Sequence, residues 1–137
     1  MVQPLKDIQV LLVEDEPDMV VLLTYLLEDK GAAVTVTTTA LEALQVLNEQ
    51  HPQILVCNLR LPDLDGRQLL KQVRQAPATD VRQLPAIAVT SYSREYTTAM
   101  AQLHDLQSVP ILVLDDDPDS LALLTFRLRT EARLSAL

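Results

Sequence analysis

The sequence predicts an α/β fold: a doubly wound, five-stranded parallel sheet with helices on both faces. Three observations predict it. Short apolar runs alternate with longer amphipathic segments along the 137 residues. The apolar runs are nearly unbroken, as in strands covered on both faces. Strand-then-helix order, repeated, gives parallel strands joined by right-handed crossovers.

Each element has its own signal. Ile8 to Val13 is apolar except for Gln9, which predicts the first strand. Pro17 suits the first position of a helix. Met19, Val20, Leu22, Leu23, Leu26 and Leu27 then recur at helical spacing, and Gly31 stands where that helix ends. Val34 to Thr38 alternates and is β-branched, predicting the second strand. Thr39 with Glu42 forms a capping-box pattern ahead of Leu44 and Leu47, and His51-Pro52 stops the helix. Ile54 to Cys57 is the third strand. Gly66 to Gln75 is a helix with Leu69, Leu70 and Val73 inward, followed by a polar loop from Ala76 to Leu84. Pro85 to Thr90 is the fourth strand and Arg94 to His104 a weaker helix. Ile111 to Leu114 is the fifth strand, and Pro118 to Arg133 the last helix.

Composition narrows the function. A chain of this length is expected to form one domain, and 48% apolar residues can fill its core. Four aromatic residues leave that core aliphatic. Eleven basic against 19 acidic residues give a net charge of -8, which disfavours nucleic acid as a partner. The single cysteine, Cys57, excludes an internal disulfide and reads as a small buried hydrophobe. No basic, apolar leader is visible, and the apolar stretches are too short to span a bilayer. A cytoplasmic protein with no membrane contact is expected.

In a doubly wound sheet, ligands gather at the carboxyl ends of the strands. Those ends carry Glu14 and Asp15, then Asn58, Thr90, and Asp115 to Asp117. Adjacent carboxylates at a strand end suit Mg²⁺, which can hold a phosphoryl group against a nearby nucleophile. A threonine such as Thr90 can hydrogen-bond a phosphoryl oxygen. Alternatively, Glu14, Asp15 and Glu16 only place negative charge at a helix N-terminus.

Three segments carry a family resemblance. Val10-Leu11-Leu12-Val13-Glu14-Asp15-Glu16-Pro17 resembles the first strand and acidic pair of receiver domains, the phosphoacceptor modules of two-component response regulators. Leu61-Pro62-Asp63-Leu64-Asp65-Gly66 is similar to their loop after the phosphorylated strand, and is the most specific match. Ala88-Val89-Thr90-Ser91 resembles their fourth strand with its switch residues, Thr90 and Ser91. The likeness runs from about Ile8 to about Leu103. It implies the flavodoxin-like strand order 2-1-3-4-5 and a bacterial phosphorelay. It also implies Glu14, Asp15 and the backbone carbonyl of Arg60 as metal ligands, and Asn58 at the acceptor position.

Three departures bear on function. Asn58 stands where the family has its acceptor aspartate, and an amide does not form an acyl phosphate by ordinary nucleophilic catalysis. The family's Lys-Pro after the fifth strand is absent. No lysine follows Lys71, and Asp115, Asp116 and Asp117 form an acidic cluster in its place. Finally, Ile111-Leu112-Val113-Leu114-Asp115-Asp116-Asp117-Pro118-Asp119 parallels Val10-Leu11-Leu12-Val13-Glu14-Asp15-Glu16-Pro17-Asp18. Residues 109–134 therefore repeat the unit at 8–31. Either this copy fills the fifth βα slot of one domain, 1–137, or it opens a truncated second receiver. The first reading is preferred. The repeat also admits exchange between protomers, giving a strand-exchanged homodimer.

The expected function is a non-enzymatic, phosphorylation-independent receiver-like module (a pseudo-receiver) acting through protein contacts. Its expected partners are a histidine kinase, a phosphotransfer protein or another receiver. Mg²⁺ binding is expected to be weakened, with no other cofactor. The alternative is a conventional phosphoacceptor with asparagine substituted for aspartate at 58. A distant third is a fragment of a haloacid-dehalogenase-type phosphatase, from the carboxylates two apart in Leu114-Asp115-Asp116-Asp117.

Overall fold

The computed structural model describes residues 3–90, 111–113 and 128–129. Four strands, β1 (Gln9–Val13), β2 (Ala33–Thr37), β3 (Ile54–Asn58) and β4 (Ala86–Thr90), lie in the order β2-β1-β3-β4. All pair in parallel, and the fold is the flavodoxin-like α/β arrangement. A short strand, β5 (Ile111–Val113), lies parallel beside β4, with Ala88 opposite Ile111 and Thr90 opposite Val113. The helices are α1 (Pro17–Asp29), α2 (Ala40–Glu49), α3 (Gly66–Arg74) and a single turn, α4 (Thr79–Arg82).

The strands are apolar almost throughout because both faces are covered. Side chains alternate along each strand. Leu11, Val13, Leu55, Cys57, Ala86 and Ala88 point to one face, where Ala40, Ala43 and Leu47 of α2 and Leu69, Leu70 and Val73 of α3 pack on them. Val10, Leu12, Ile54, Val56, Ile87 and Val89 point to the other, against Leu23 and Leu27 of α1. Leu128, also in a helical stretch, is fully buried on that second face.

Local signals set the ends of the elements. Pro17 opens α1, and the Glu16 carboxylate caps it by accepting from the Asp18 and Met19 N–H groups. Gly31 follows its end at φ +100, a conformation in which an L side chain is strained. Its amide closes the turn on the Glu28 carbonyl at 3.0 Å. Thr39 caps α2 by accepting from the Glu42 N–H at 3.1 Å. One expectation is corrected. The stretch from Ala76 to Leu84 is not all loop, since Thr79–Arg82 winds one helical turn. Arg82 guanidinium contacts to the Ala76 and Pro77 carbonyls and the Thr79 hydroxyl brace that turn. The helix expected at 94–104 lies outside the described residues, as does most of the last helix.

Candidate functional site

β1 and β3 are neighbours in register, with Val13 opposite Cys57. Their carboxyl ends therefore place Glu14 and Asn58 side by side, although 44 residues separate them in sequence. Glu14 is 1% exposed, and its N–H donates to the Thr37 carbonyl of β2. The Asn58 amide nitrogen, Nδ2, donates to Oε2 of Glu14. The Asn58 oxygen, Oδ1, accepts from the Arg60 backbone N–H at 2.9 Å. Two partners of opposite kind thus fix which end of the amide faces which way.

The loop after β3 is built around this residue. Gly66, at the start of α3, lies so close that a Cβ there would sit 2.2 Å from the Asn58 carbonyl oxygen. Its N–H donates to the Leu59 carbonyl at 3.0 Å. Asp65 caps α3 through the Arg67 N–H and takes the Arg67 guanidinium with both oxygens. Burial works against the Asp65 charge, but the hydrogen bonds and charge of Arg67 hold its carboxyl below the usual range. Asp63 reaches across to α2 and accepts from the Ala40 N–H at 2.9 Å and the Leu41 N–H at 3.0 Å.

Burial pushes the Glu14 carboxyl up to about 7, against the Asn58 hydrogen bond and with the help of the neighbouring Asp15 charge. Burial likewise raises the thiol of Cys57, which is fully buried as the sequence implies. Asp15 and Glu16 are exposed, with Glu16 engaged as the helix cap. Thr90 ends β4 one residue beyond Val89, the register partner of Asn58. Ser91, Asp115, Asp116 and Asp117 lie outside the described residues.

A hard divalent cation takes several oxygen ligands. The donor set here falls short of one. Position 58 turns an N–H, not an oxygen, toward Glu14, and its oxygen is engaged by Arg60. That leaves the carboxylates of Glu14 and Asp15 and the Arg60 carbonyl. Among the described residues no group of three or more His, Cys, Asp or Glu side chains could hold a metal. In this arrangement the Asn58 amide joins the carboxyl end of β3 to that of β1.

Sequence reasoning missed Asp63 as a helix cap, and it placed Glu16 at a helix N-terminus only as charge, not as the hydrogen-bonding cap. The Glu16-Pro17 order was a usable signal for Glu16. No local pattern announces Asp63, because its partners lie 22 and 23 residues away.

A family model for the response regulator receiver domain matches residues 10–107. The uncharacterised 14.6 kDa protein in the sodA1 3′ region of Leptolyngbya boryana is 44% identical over 93 residues, 68% of this chain and 70% of that protein. The crystal structure of a proposed response regulator from Chloroflexus aurantiacus superposes with a TM-score of 0.80 at 26% identity, covering 93% of this chain and 99% of that one. The receiver domain of the sensor histidine kinase PA1611 from Pseudomonas aeruginosa, solved with magnesium in its active-site cleft, gives 0.69 at 24% identity, covering 89% and 97%. Among the described residues no helix is long and apolar enough to cross a membrane.

Proposed function

The chain belongs to the response regulator receiver domain family, a signalling module of two-component systems, and from that premise we propose that it works without being phosphorylated. The observation that carries this reading is the double engagement of the Asn58 amide, by Glu14 on one side and by the Arg60 N–H on the other. A neutral amide is a poor nucleophile toward phosphorus. Here it has a different task, holding two strand ends together in one arrangement.

The sequence supplies a second, independent loss. No lysine follows Lys71, and the residues after the fifth strand are Asp115, Asp116 and Asp117. Carboxylates in place of an ammonium repel an arriving phosphoryl group. Glu14 and Asp15 keep the positions of the metal-binding pair. Without a third carboxylate they hold Mg²⁺ weakly, in contrast to the magnesium-bound PA1611 receiver. Residues 109–134 complete the domain as its fifth βα unit. The parallel pairing of Ile111–Val113 with β4 and the burial of Leu128 support this. The module is non-enzymatic and cytoplasmic, and acts by contact with a kinase, a phosphotransfer protein or another receiver.

The second reading is a conventional phosphoacceptor with one substituted residue. The intact loop geometry around Gly66 favours it. Beryllofluoride with Mg²⁺, a phosphoryl mimic, separates the two when added to Asn58→Asp. The first reading expects the Thr90 amide resonance to stay in place. Saturable movement of that resonance would restore the conventional reading.

A further inference from the structure

The Asp63 carboxylate serves a helix that is not its own. Helix α2 begins with N–H groups that its own turns leave unpaired. Thr39 serves one of them, Glu42. Asp63 serves the two before it, Ala40 and Leu41, one with each oxygen. Those bonds hold the Asp63 carboxyl below the usual range, Ala40 contributing most. A carboxylate is also the side chain best suited to the positive end of a helix.

Asp63 stands midway along a loop whose two ends are fixed to residue 58. At one end the Arg60 N–H donates to the Asn58 side chain. At the other, Gly66 packs on the Asn58 carbonyl and bonds to Leu59. Position 58 and Asp63 are thus parts of one closed loop. At Asp63 that loop meets the first turn of α2, where Leu41 is 66% exposed. We infer that Asp63 is a strap passing the conformation at position 58 to the N-terminal turn of α2, which makes the Leu41 surface an output of the pocket. The strap serves whichever chemistry position 58 supports.

A coupling of this kind is tested by a double-mutant cycle. Amide resonances of Ala40 and Leu41 are followed in four chains: native, Asn58→Ala, Asp63→Ala, and the double variant. The strap predicts that Asn58→Ala shifts both resonances in the native background and leaves them in place in the Asp63→Ala background. Thr39→Ala is the control, since it weakens the same helix end and leaves the strap. In that background the shifts persist. Should Asn58→Ala fold poorly, Asn58→Asp is read the same way. Equal shifts with and without Asp63, or none in the native background, overturn the strap.

Discussion

Asn58 and Glu14 form a pair in which each residue satisfies the other, and both sides of the pair are testable. Glu14 is the simpler. Burial pushes its folded carboxyl up to about 7, against 4.5 for the solvent-exposed carboxyl of an unfolded chain. Between those values the folded chain keeps a proton that the unfolded chain has released. The contribution of this group is therefore fully present below pH 4.5 and is lost as pH rises to about 7. Glu14→Gln keeps an oxygen for the Asn58 amide and removes the titration. Urea unfolding across that window should show the native chain losing on the order of 3 kcal/mol relative to Glu14→Gln. Parallel pH profiles would contradict the burial argument. Asn58→Asp addresses the other partner. It sets a second carboxylate against Glu14, so one of them must take up a proton or a cation. We expect a loss of about 2 kcal/mol at neutral pH without Mg²⁺, recovered on adding the ion. Unchanged stability in Mg²⁺-free buffer would mean that the amide bridges nothing of consequence. The asparagine itself was legible in the sequence, because it follows an apolar strand and precedes Leu61-Pro62-Asp63-Leu64-Asp65-Gly66. Its nearness to Glu14 was legible too, since both follow strands of one parallel sheet, but the direct hydrogen bond between them was not.

Among the elements, α2 and α3 carry the clearest consequences. Gly66 opens α3 where the chain passes against the Asn58 carbonyl, and the only room is that left by a missing side chain. Gly66→Ala is expected to cost about 2–3 kcal/mol, read by urea or thermal unfolding, because the obstacle is backbone. A neutral result would show that the loop shifts freely. Thr39→Ala should cost about 1 kcal/mol through the lost cap of α2. The Thr39 cap was visible as a local pattern four residues long. So were Pro17 at the start of α1 and Gly31 after its end. The turn at Thr79–Arg82 was missed because four residues make too short a window for helical periodicity. Asp63 was missed for the opposite reason: its partners are remote.

Across the whole molecule, one sheet separates two aliphatic cores, and the strand side chains divide between them by parity. That division was legible as nearly unbroken apolar runs, as expected of strands covered on both faces. The role of the repeat at 111–119 was not, since a copy of the first strand suits either a fifth strand or the start of a new domain. Leu128 bears on it, being fully buried in the same core cluster as Leu23 and Leu27 of α1. If residues 109–134 complete this domain, Leu128→Ala lowers its single unfolding transition by roughly 2–5 kcal/mol. A transition left unmoved would assign that unit to something else. Whether the pocket at the strand ends accepts a phosphoryl group is read by intact-mass spectrometry of the native chain after incubation with acetyl phosphate and Mg²⁺. With Asn58 at the acceptor position, the unmodified mass alone is expected. An adduct of one phosphoryl group, released by hydroxylamine as acyl phosphates are, would contradict it.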